Sequence, residues 1–519
     1  MNGMDILDMI AGDGVPRADY EWSAYQTDVF DWIKSGAGGA RINAVAGSGK
    51  TSTIVAASSL VNGTALFCAF NKHIEEELSD KVGPFASCKT IHAIGYEALR
   101  TSCGRIKLDN KKYVELCSKA ASSAFSKMAA LGEYKRASVQ KMVRRAVDMA
   151  RFTLCDVEDF GAFETMCRTY ALTLDAAARK VIFEYVAPII KEGNRMASEG
   201  CIDFTDMVYY PVFKKMPMKQ YSWVMVDEAQ DLSAAQLAIV VGSLKKNGRL
   251  VAVGDPYQSI YGFTGADPWS FKSIGKHAGH ELPLSICYRC PESVVDLARR
   301  IVPQIEPRPG APKGRVTEVG DISSLIGVGD MVICRRNAPL VVQCLKAIAA
   351  GKRAYIKGVD FKDSLLEILN SVKELRSYDY SKFETNVTIA QAMAMNKLIA
   401  EGDDESAARI GDLYQAILGI YVTRYPKSME EFAQLINTMF NEGPDSIVFS
   451  SIHRAKGLEA DRVFLVDAGA VRLKWANQKP WQEYQEQCCE YVALTRAKSE
   501  LFISVADGSR YSVGKKVIV

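Results

Sequence analysis

Short apolar runs that end in turn or acidic residues recur along the chain, with helical patterns between them. Ile42–Val45, Ala65–Phe70, Val224–Val226 and Leu250–Val253 form one set, and Met331–Cys334, Ile447–Phe449, Val463–Val466 and Leu501–Val505 a second. Runs this short, joined through helices, predict buried strands of parallel sheets, since a strand covered on both faces shows no polar alternation. Two stretches lack such runs. In residues 97–216 apolar side chains recur at helical spacing, as in Val139, Met142, Val143, Ala146, Val147 and Ala150, predicting a helical insertion. Residues 377–442 predict a shorter one. The expected organisation is one α/β domain from 1–96 and 217–282, interrupted by the insertion 97–216, and a second from 283–376 and 443–519, interrupted by 377–442.

Composition narrows the class. A chain of 519 residues exceeds one ordinary domain. Its formal net charge of +3 rules out a polycation, so any nucleic-acid contact must come from local basic surface. Arg105 to Arg151 carries twelve Lys or Arg against four Asp or Glu, twelve minus four giving +8. A solvated helix face and a nucleic-acid track both account for such a run. The thirteen cysteines follow no repeating framework, which suits free thiols in a reducing compartment. Cys287 and Cys290 form a Cys-x-x-Cys without a second ligand pair at zinc spacing, so no metal centre is expected there. The start, MNGMDILDMI, lacks the basic region of a secretory signal. No apolar run approaches the ~20 residues of a membrane helix. A cytoplasmic or nuclear protein without a membrane partner is expected.

Chemistry enters at Ala44-Val45-Ala46-Gly47-Ser48-Gly49-Lys50-Thr51, between a predicted strand and a predicted helix. This is the setting of a phosphate loop, with Ala44 where the simplest pattern has Gly. Gly47 and Gly49 let backbone N–H groups converge on phosphate oxygens. Ala46, Ser48 and Ser52 complete the cradle, Lys50 neutralises the β- and γ-phosphates, and the Thr51 hydroxyl suits Mg²⁺. Val224-Met225-Val226-Asp227-Glu228-Ala229-Gln230-Asp231 delivers two carboxylates to a strand's carboxyl end, where parallel sheets bind ligands. Asp227 would hold Mg²⁺, and Glu228 would orient and deprotonate the attacking water. ATP and Mg²⁺ are the expected ligands.

With these motifs in order, the chain resembles the superfamily 1 DNA helicases of the UvrD/Rep/PcrA type. The resemblance runs from about Tyr25 to Phe502. It is carried by Asp-Glu-Ala-Gln-Asp at 227–231, Val253-Gly254-Asp255-Pro256-Tyr257-Gln258-Ser259-Ile260-Tyr261 and Tyr491-Val492-Ala493-Leu494-Thr495-Arg496-Ala497. The wording Phe70-Asn71-Lys72 and Thr90-Ile91-His92 leans toward the F-box helicase and phage-like branch. The resemblance implies two tandem RecA-like parallel-sheet domains with ATP in the cleft between them. It implies that Gln26 reads the adenine and Tyr288 stacks on it, that Glu459 contacts the ribose, and that Gln258 senses the γ-phosphate. Arg289 and Arg496 would be arginine fingers, whose guanidinium charge follows the negative charge of the transferring phosphoryl group.

The DNA-facing motifs of the family point to Phe70, Asn71, Thr90, His92, Tyr261 and Phe263, with Ser451, His453 and Lys456 from the second domain. Single-strand motors combine cationic grip on phosphates with aromatic stacking of bases. Core packing is the alternative for Tyr261 and Phe263, and a satisfied structural histidine for His92 and His453. Asp203-Phe204 resembles a recurring family element without assigned chemistry. Thr264 stands where relatives carry arginine, and Cys287 and Cys290 replace the usual Asn and Ser. The second insertion is shorter than in typical relatives, implying a motor with less autoinhibition, and no room follows the last motif for a nuclease domain.

The expected activity is an ATP-dependent DNA helicase that translocates on single-stranded DNA, 3′ to 5′, and opens duplex junctions. The alternatives are a translocase that strips proteins from DNA, a nucleic-acid-binding module that uses ATP as a switch, and an RNA track.

Overall fold

The computed structural model describes residues 21–69, 72, 75–76, 86–129, 136–170, 172, 176–262, 270–376, 378–400, 404–476, 478–505, 511 and 513. The chain divides into two compact units, Met1–Ser285 and Ile286–Val519.

The described strands of the first unit are β1 (Ala40–Ala44), β2 (Ala65–Ala69), β3 (Ala86–Thr90), β4 (Lys107–Leu108), β5 (Cys201–Ile202), β6 (Tyr221–Val226), β7 (Leu244–Gly254) and β8 (His280–Leu284). Six form one sheet in the order β3-β2-β6-β7-β1-β8, parallel throughout. Helices cover both faces, which is why β2 is buried at every position and reads as an unbroken apolar run. One core sets Val29, Ile33 and Ile54 against Ile42, Phe67 and Val251. The other sets Ile94, Val208 and Ile239 against Leu66, Val224 and Leu250.

The expected helical insertion contains the helices Lys112–Ala129, Arg136–Thr153, Phe160–Thr169 and Ala176–Ser198. It has its own core, in which Val139, Val143, Ala146, Val147 and Ala150 are buried. The sequence pattern gave no strand here, yet β4 and β5 pair in parallel. At two residues each, they are too short for an apolar run to mark them.

The second unit contains β9 (Ile286–Cys287), β10 (Glu306–Pro307), β11 (Arg315–Val319), β12 (Met331–Cys334), β13 (Ala354–Ile356), β14 (Ile447–Ser451), β15 (Ala460–Val466) and β16 (Ala497–Ser504). Its main sheet is again six-stranded and parallel, in the order β11-β16-β15-β12-β14-β13. Residues 377–442 supply the helices Phe383–Ala400, Asp404–Arg424 and Met429–Met439. These do not form a separate body. Phe383, Val387, Tyr414, Ile417, Phe432 and Ile436 share one continuous core with Val332, Leu340, Phe449 and Phe464 of the sheet layer. The Asp412 carboxylate also caps the helix Asn337–Ala349, accepting from Asn337 N at 2.6 Å and Ala338 N at 3.0 Å. Burying one large apolar side chain contributes about 1.5–3 kcal/mol, against a total domain stability of about 5–15 kcal/mol. The segment therefore roofs the second sheet.

Candidate functional site

In the first sheet β6, β7 and β1 are neighbours. Their carboxyl ends bring Asp227 and Glu228, Asp255, and the loop 45–49 to one edge, the edge where parallel sheets bind ligands. The loop leaves β1 and enters the helix Lys50–Ser58. Gly47 and Gly49 have φ of 65° and 75°, the left-handed region that a Cβ disfavours. The first intrahelical bond runs from Thr53 N to Gly49 O at 2.9 Å, so the amides of Lys50, Thr51 and Ser52 form the positive end of the helix. Ser48 Oγ is buried without a hydrogen-bond partner among the described residues. An orphaned hydroxyl within such a cradle fits a polar ligand in the loop.

The Thr51 hydroxyl donates to Asp227 Oδ2 at 2.6 Å, and Lys50 Nζ lies 3.2 Å from Glu228 Oε1. Burial and then the adjacent Glu228 push the Asp227 carboxyl above its usual range. The hard oxygen donors Thr51 and Asp227 fit a divalent cation, whose charge would offset this carboxylate pair. Glu228 sits at φ 50°, which turns its side chain out of the strand line toward Lys50.

A chain of amides connects Glu228 to Gln258. Gln230 Nε2 donates to Glu228 Oε2 at 2.5 Å, and Gln230 Oε1 accepts from Asp255 N at 3.0 Å. Asp255 Oδ2 accepts from Gln258 Nε2 at 2.8 Å. Gly254 makes room for this arrangement: a Cβ there would lie 2.4 Å from Gln230 Oε1. Burial raises the Asp255 carboxyl to about 6. Sequence reasoning missed Gln230 and Asp255 as connectors because their bonds join two different strand ends. Gln26 is buried beside the loop, donating to Thr53 Oγ1 at 3.0 Å and accepting from Ser23 N at 3.1 Å. Its amide is thus set against the phosphate-loop helix.

In the second unit Arg289 Nε donates to Glu459 Oε2 at 2.6 Å, and its Nη1 donates to Thr495 O at 3.3 Å. Glu459 also pairs with Lys498 at 2.8 Å. Burial opposes ionisation of Glu459, but the Lys498 hydrogen bond and the Arg289 charge outweigh it and hold its carboxyl low. The two residues assigned separately to γ-phosphate and ribose are here partners of one another. Arg496 donates to Val492 O at 2.8 Å and Leu458 O at 3.3 Å, at the end of the helix Pro480–Leu494. Tyr288 is half-buried in the bend between β9 and the helix Glu292–Ala298.

Of the nucleic-acid candidates, Phe70, Asn71, Phe263 and the departure Thr264 lie outside the described residues. Thr90 is an N-cap, its side chain accepting from Ala93 N at 3.2 Å. His92 stacks on Phe204 with ring centroids 4.2 Å apart and an interplanar angle of 24°, while Phe204 is 54% exposed. Burial lowers His92 to about 4, so the ring is neutral near pH 7. Tyr261 is half-buried. Ser451 caps the short helix Ile452–Ala455 through its backbone alone. His453 is held well below its usual range by burial and by the charges of Arg335, Arg409, Lys456 and Arg454. Lys456 is half-buried.

The basic run Arg105–Arg151 is only partly surface. Lys112 and Arg151 are fully buried: Lys112 pairs with Asp206 at 2.6 Å, and Arg151 binds Asp203 at 3.0 Å and Asp206 at 2.9 Å. Arg151 also lies 3.7 Å over the Tyr113 ring. Asp203 and Asp206 brace each other's turn, Asp206 N donating to Asp203 Oδ1 at 2.8 Å. Two of the twelve cations thus serve a core. Sequence reasoning gave Asp203-Phe204 no chemistry. The Asp-x-x-Asp spacing ahead of an apolar helix was the available signal, and the structure makes it the clamp that presents Phe204.

A model of the UvrD/REP helicase N-terminal domain matches residues 27–278, and one of the UvrD-like helicase C-terminal domain matches residues 343–508. F-box DNA helicase protein 1 of Schizosaccharomyces pombe is 23% identical over 507 residues, covering 89% of this chain and 55% of that protein. ATP-dependent DNA helicase UvrD2 of Mycobacterium tuberculosis is 22% identical over 546 residues, covering 89% and 75%. DNA helicase IV of Escherichia coli is 23% identical over 515 residues, covering 88% and 64%. The chain thus spans between 55% and 75% of the length of these relatives. Among solved structures, the arterivirus nonstructural protein 10 helicase aligns over 90% of this chain and 59% of its own. Its TM-score is 0.34 at 12% identity, a match too loose to argue from.

Proposed function

Because the chain belongs to the UvrD/Rep helicase family, we propose that it is an ATP-dependent DNA helicase that moves 3′ to 5′ along single-stranded DNA and opens duplex junctions. The observation that carries this reading is the pairing of Thr51 with Asp227 and Lys50 with Glu228 across the carboxyl ends of β1 and β6, which flank β7. Lys50 leaves Glu228 for the phosphates, and Thr51 and Asp227 would hold Mg²⁺, which when bound would offset charge on the phosphate oxygens. Glu228, released from Lys50, takes a proton from the attacking water. Gln258 reports the γ-phosphate back to Glu228 through Asp255 and Gln230. For Arg289 and Arg496 the resemblance supports the role of arginine fingers, whose charge follows that of a transferring phosphoryl group.

The names of the relatives support DNA as the track, and the resemblance supports the direction. Unwinding of a 3′-tailed duplex but not of a 5′-tailed one is the expected result. Unwinding from the 5′ tail alone contradicts the direction while leaving the ATP site intact.

Phe204 joins the proposed DNA track. Its exposed ring is backed by the neutral His92, and base–aromatic stacking contributes about 1–3 kcal/mol per base. Phe204→Ala should weaken single-stranded DNA binding by about tenfold or more, with ATP affinity unchanged in the absence of DNA. Equal DNA affinity by fluorescence anisotropy removes Phe204 from the track.

A further inference from the structure

The bend that carries Tyr288 and Arg289 is flanked by two thiols. Cys287 closes β9, where it pairs with Pro307, and its carbonyl accepts from Arg308 N at 3.2 Å. Cys290 is followed by Pro291, which caps the helix Glu292–Ala298. Both ends of the bend are thus anchored, and Tyr288-Arg289 is the two-residue tip between them. The Cys287 sulfur accepts from Cys290 N at 3.4 Å. The Cys290 thiol approaches Thr495 O at 3.7 Å, the same carbonyl that accepts from Arg289. Residues three apart across a tight bend fall within the Cα separation that a disulfide spans. Both cysteines are free thiols.

We infer that Cys287 and Cys290 form a redox-modification site, in which a disulfide closed across Tyr288-Arg289 reversibly stops ATP turnover. The oxidant is of the peroxide class, because both thiols are buried and only a small neutral molecule reaches them during local opening. The Cys287 thiolate attacks one peroxide oxygen, breaking the O–O bond and giving a sulfenic acid and hydroxide, which takes up the thiol proton as water. The Cys290 sulfur then attacks the sulfenic sulfur, forming S–S and releasing a second water. Two thiols lose two electrons and one peroxide gains them. Cys287 is the attacking sulfur, since hydrogen bonds from the Cys290 thiol and from backbone amides bring it down to about 7, while Cys290 lies well above its usual range. Closure turns Cys290 away from Thr495 O and resets the tip, moving Arg289 from its place. Arginine fingers contribute about 10³-fold or more to phosphoryl transfer.

The effect on turnover rests on the ATPase reading above, whereas formation of the bond does not. The test treats the full-length protein with hydrogen peroxide and measures both. Trypsin cleaves after Arg289, so the bridge appears by mass spectrometry as two cross-linked peptides that dithiothreitol separates. The expected result is that bridge together with about a hundredfold or greater loss of ATP turnover, recovered on reduction. Cys287→Ser should keep its turnover under the same treatment. Absence of the cross-linked pair overturns the site. A full bridge with unchanged turnover overturns the switch, as does equal loss in Cys287→Ser. Reduced protein without turnover refutes the ATPase reading, and the peptide result still judges the bond.

Discussion

Glu228→Gln slows ATP hydrolysis by about 10²–10⁴-fold, the usual contribution of a positioned general base, while ATP binding persists. The geometry explains the separation. Glu228 now shares its carboxylate between Lys50 at 3.2 Å and Gln230 at 2.5 Å. A glutamine oxygen can still accept from Gln230, so the strand end keeps its shape. It offers Lys50 no charge, which leaves the lysine to the phosphates. Single-turnover hydrolysis and equilibrium binding of a fluorescent ATP analogue measure the two effects. Wild-type hydrolysis in the variant removes Glu228 from the base role, and loss of binding with loss of hydrolysis makes it a structural carboxylate.

Arg151→Met destabilises the first unit by about 3–5 kcal/mol, the cost of breaking a buried ion pair from one side. Burial works against ionisation of Asp203, and the Arg151 charge and hydrogen bonds overcome it and hold that carboxyl low. Asp206 is raised by burial even with its partners present. Without Arg151, Lys112 is the cation left in the cluster among the described residues to offset the two carboxylates. Methionine fills much of the arginine stem's volume, so the loss reports charge and not a cavity. Urea denaturation measures it, with the exposed Arg105→Ala as a control expected within about 0.5 kcal/mol of wild type. A change below about 1 kcal/mol for Arg151→Met contradicts the account of the cluster.

The interior of each sheet was legible in the sequence, and the edges were not. Every apolar run named from the sequence became an inner strand. Within the two six-stranded sheets the strands without a run, β3, β8, β11 and β13, are the outer ones. An edge strand has one neighbour and more solvent, so β3 tolerates Ala-Ser-Cys-Lys-Thr with no residue fully buried. The nucleotide residues were legible because their chemistry is local: the loop 45–51 and the pair 227–228 each act within one strand–turn unit. The links between them were not, since Gln230 meets Asp255 only once β6 and β7 lie side by side. Charge misled where burial was invisible, as at Lys112 and Arg151, which sit in a basic run yet face a core. For the segment 377–442 helical periodicity shows that a face is buried and not what buries it, so the core it shares with the second sheet is visible only in the fold.

A site at Lys50 that drives movement along single-stranded DNA hydrolyses ATP faster when the strand is present. ATP turnover measured with and without a single-stranded oligonucleotide, in wild type and Lys50→Ala, tests it most directly. Wild-type turnover should rise at least about tenfold with DNA, with none above background in Lys50→Ala, which still binds the oligonucleotide. Slow hydrolysis that DNA leaves unchanged would contradict this expectation and make the protein an ATP-switched binding module.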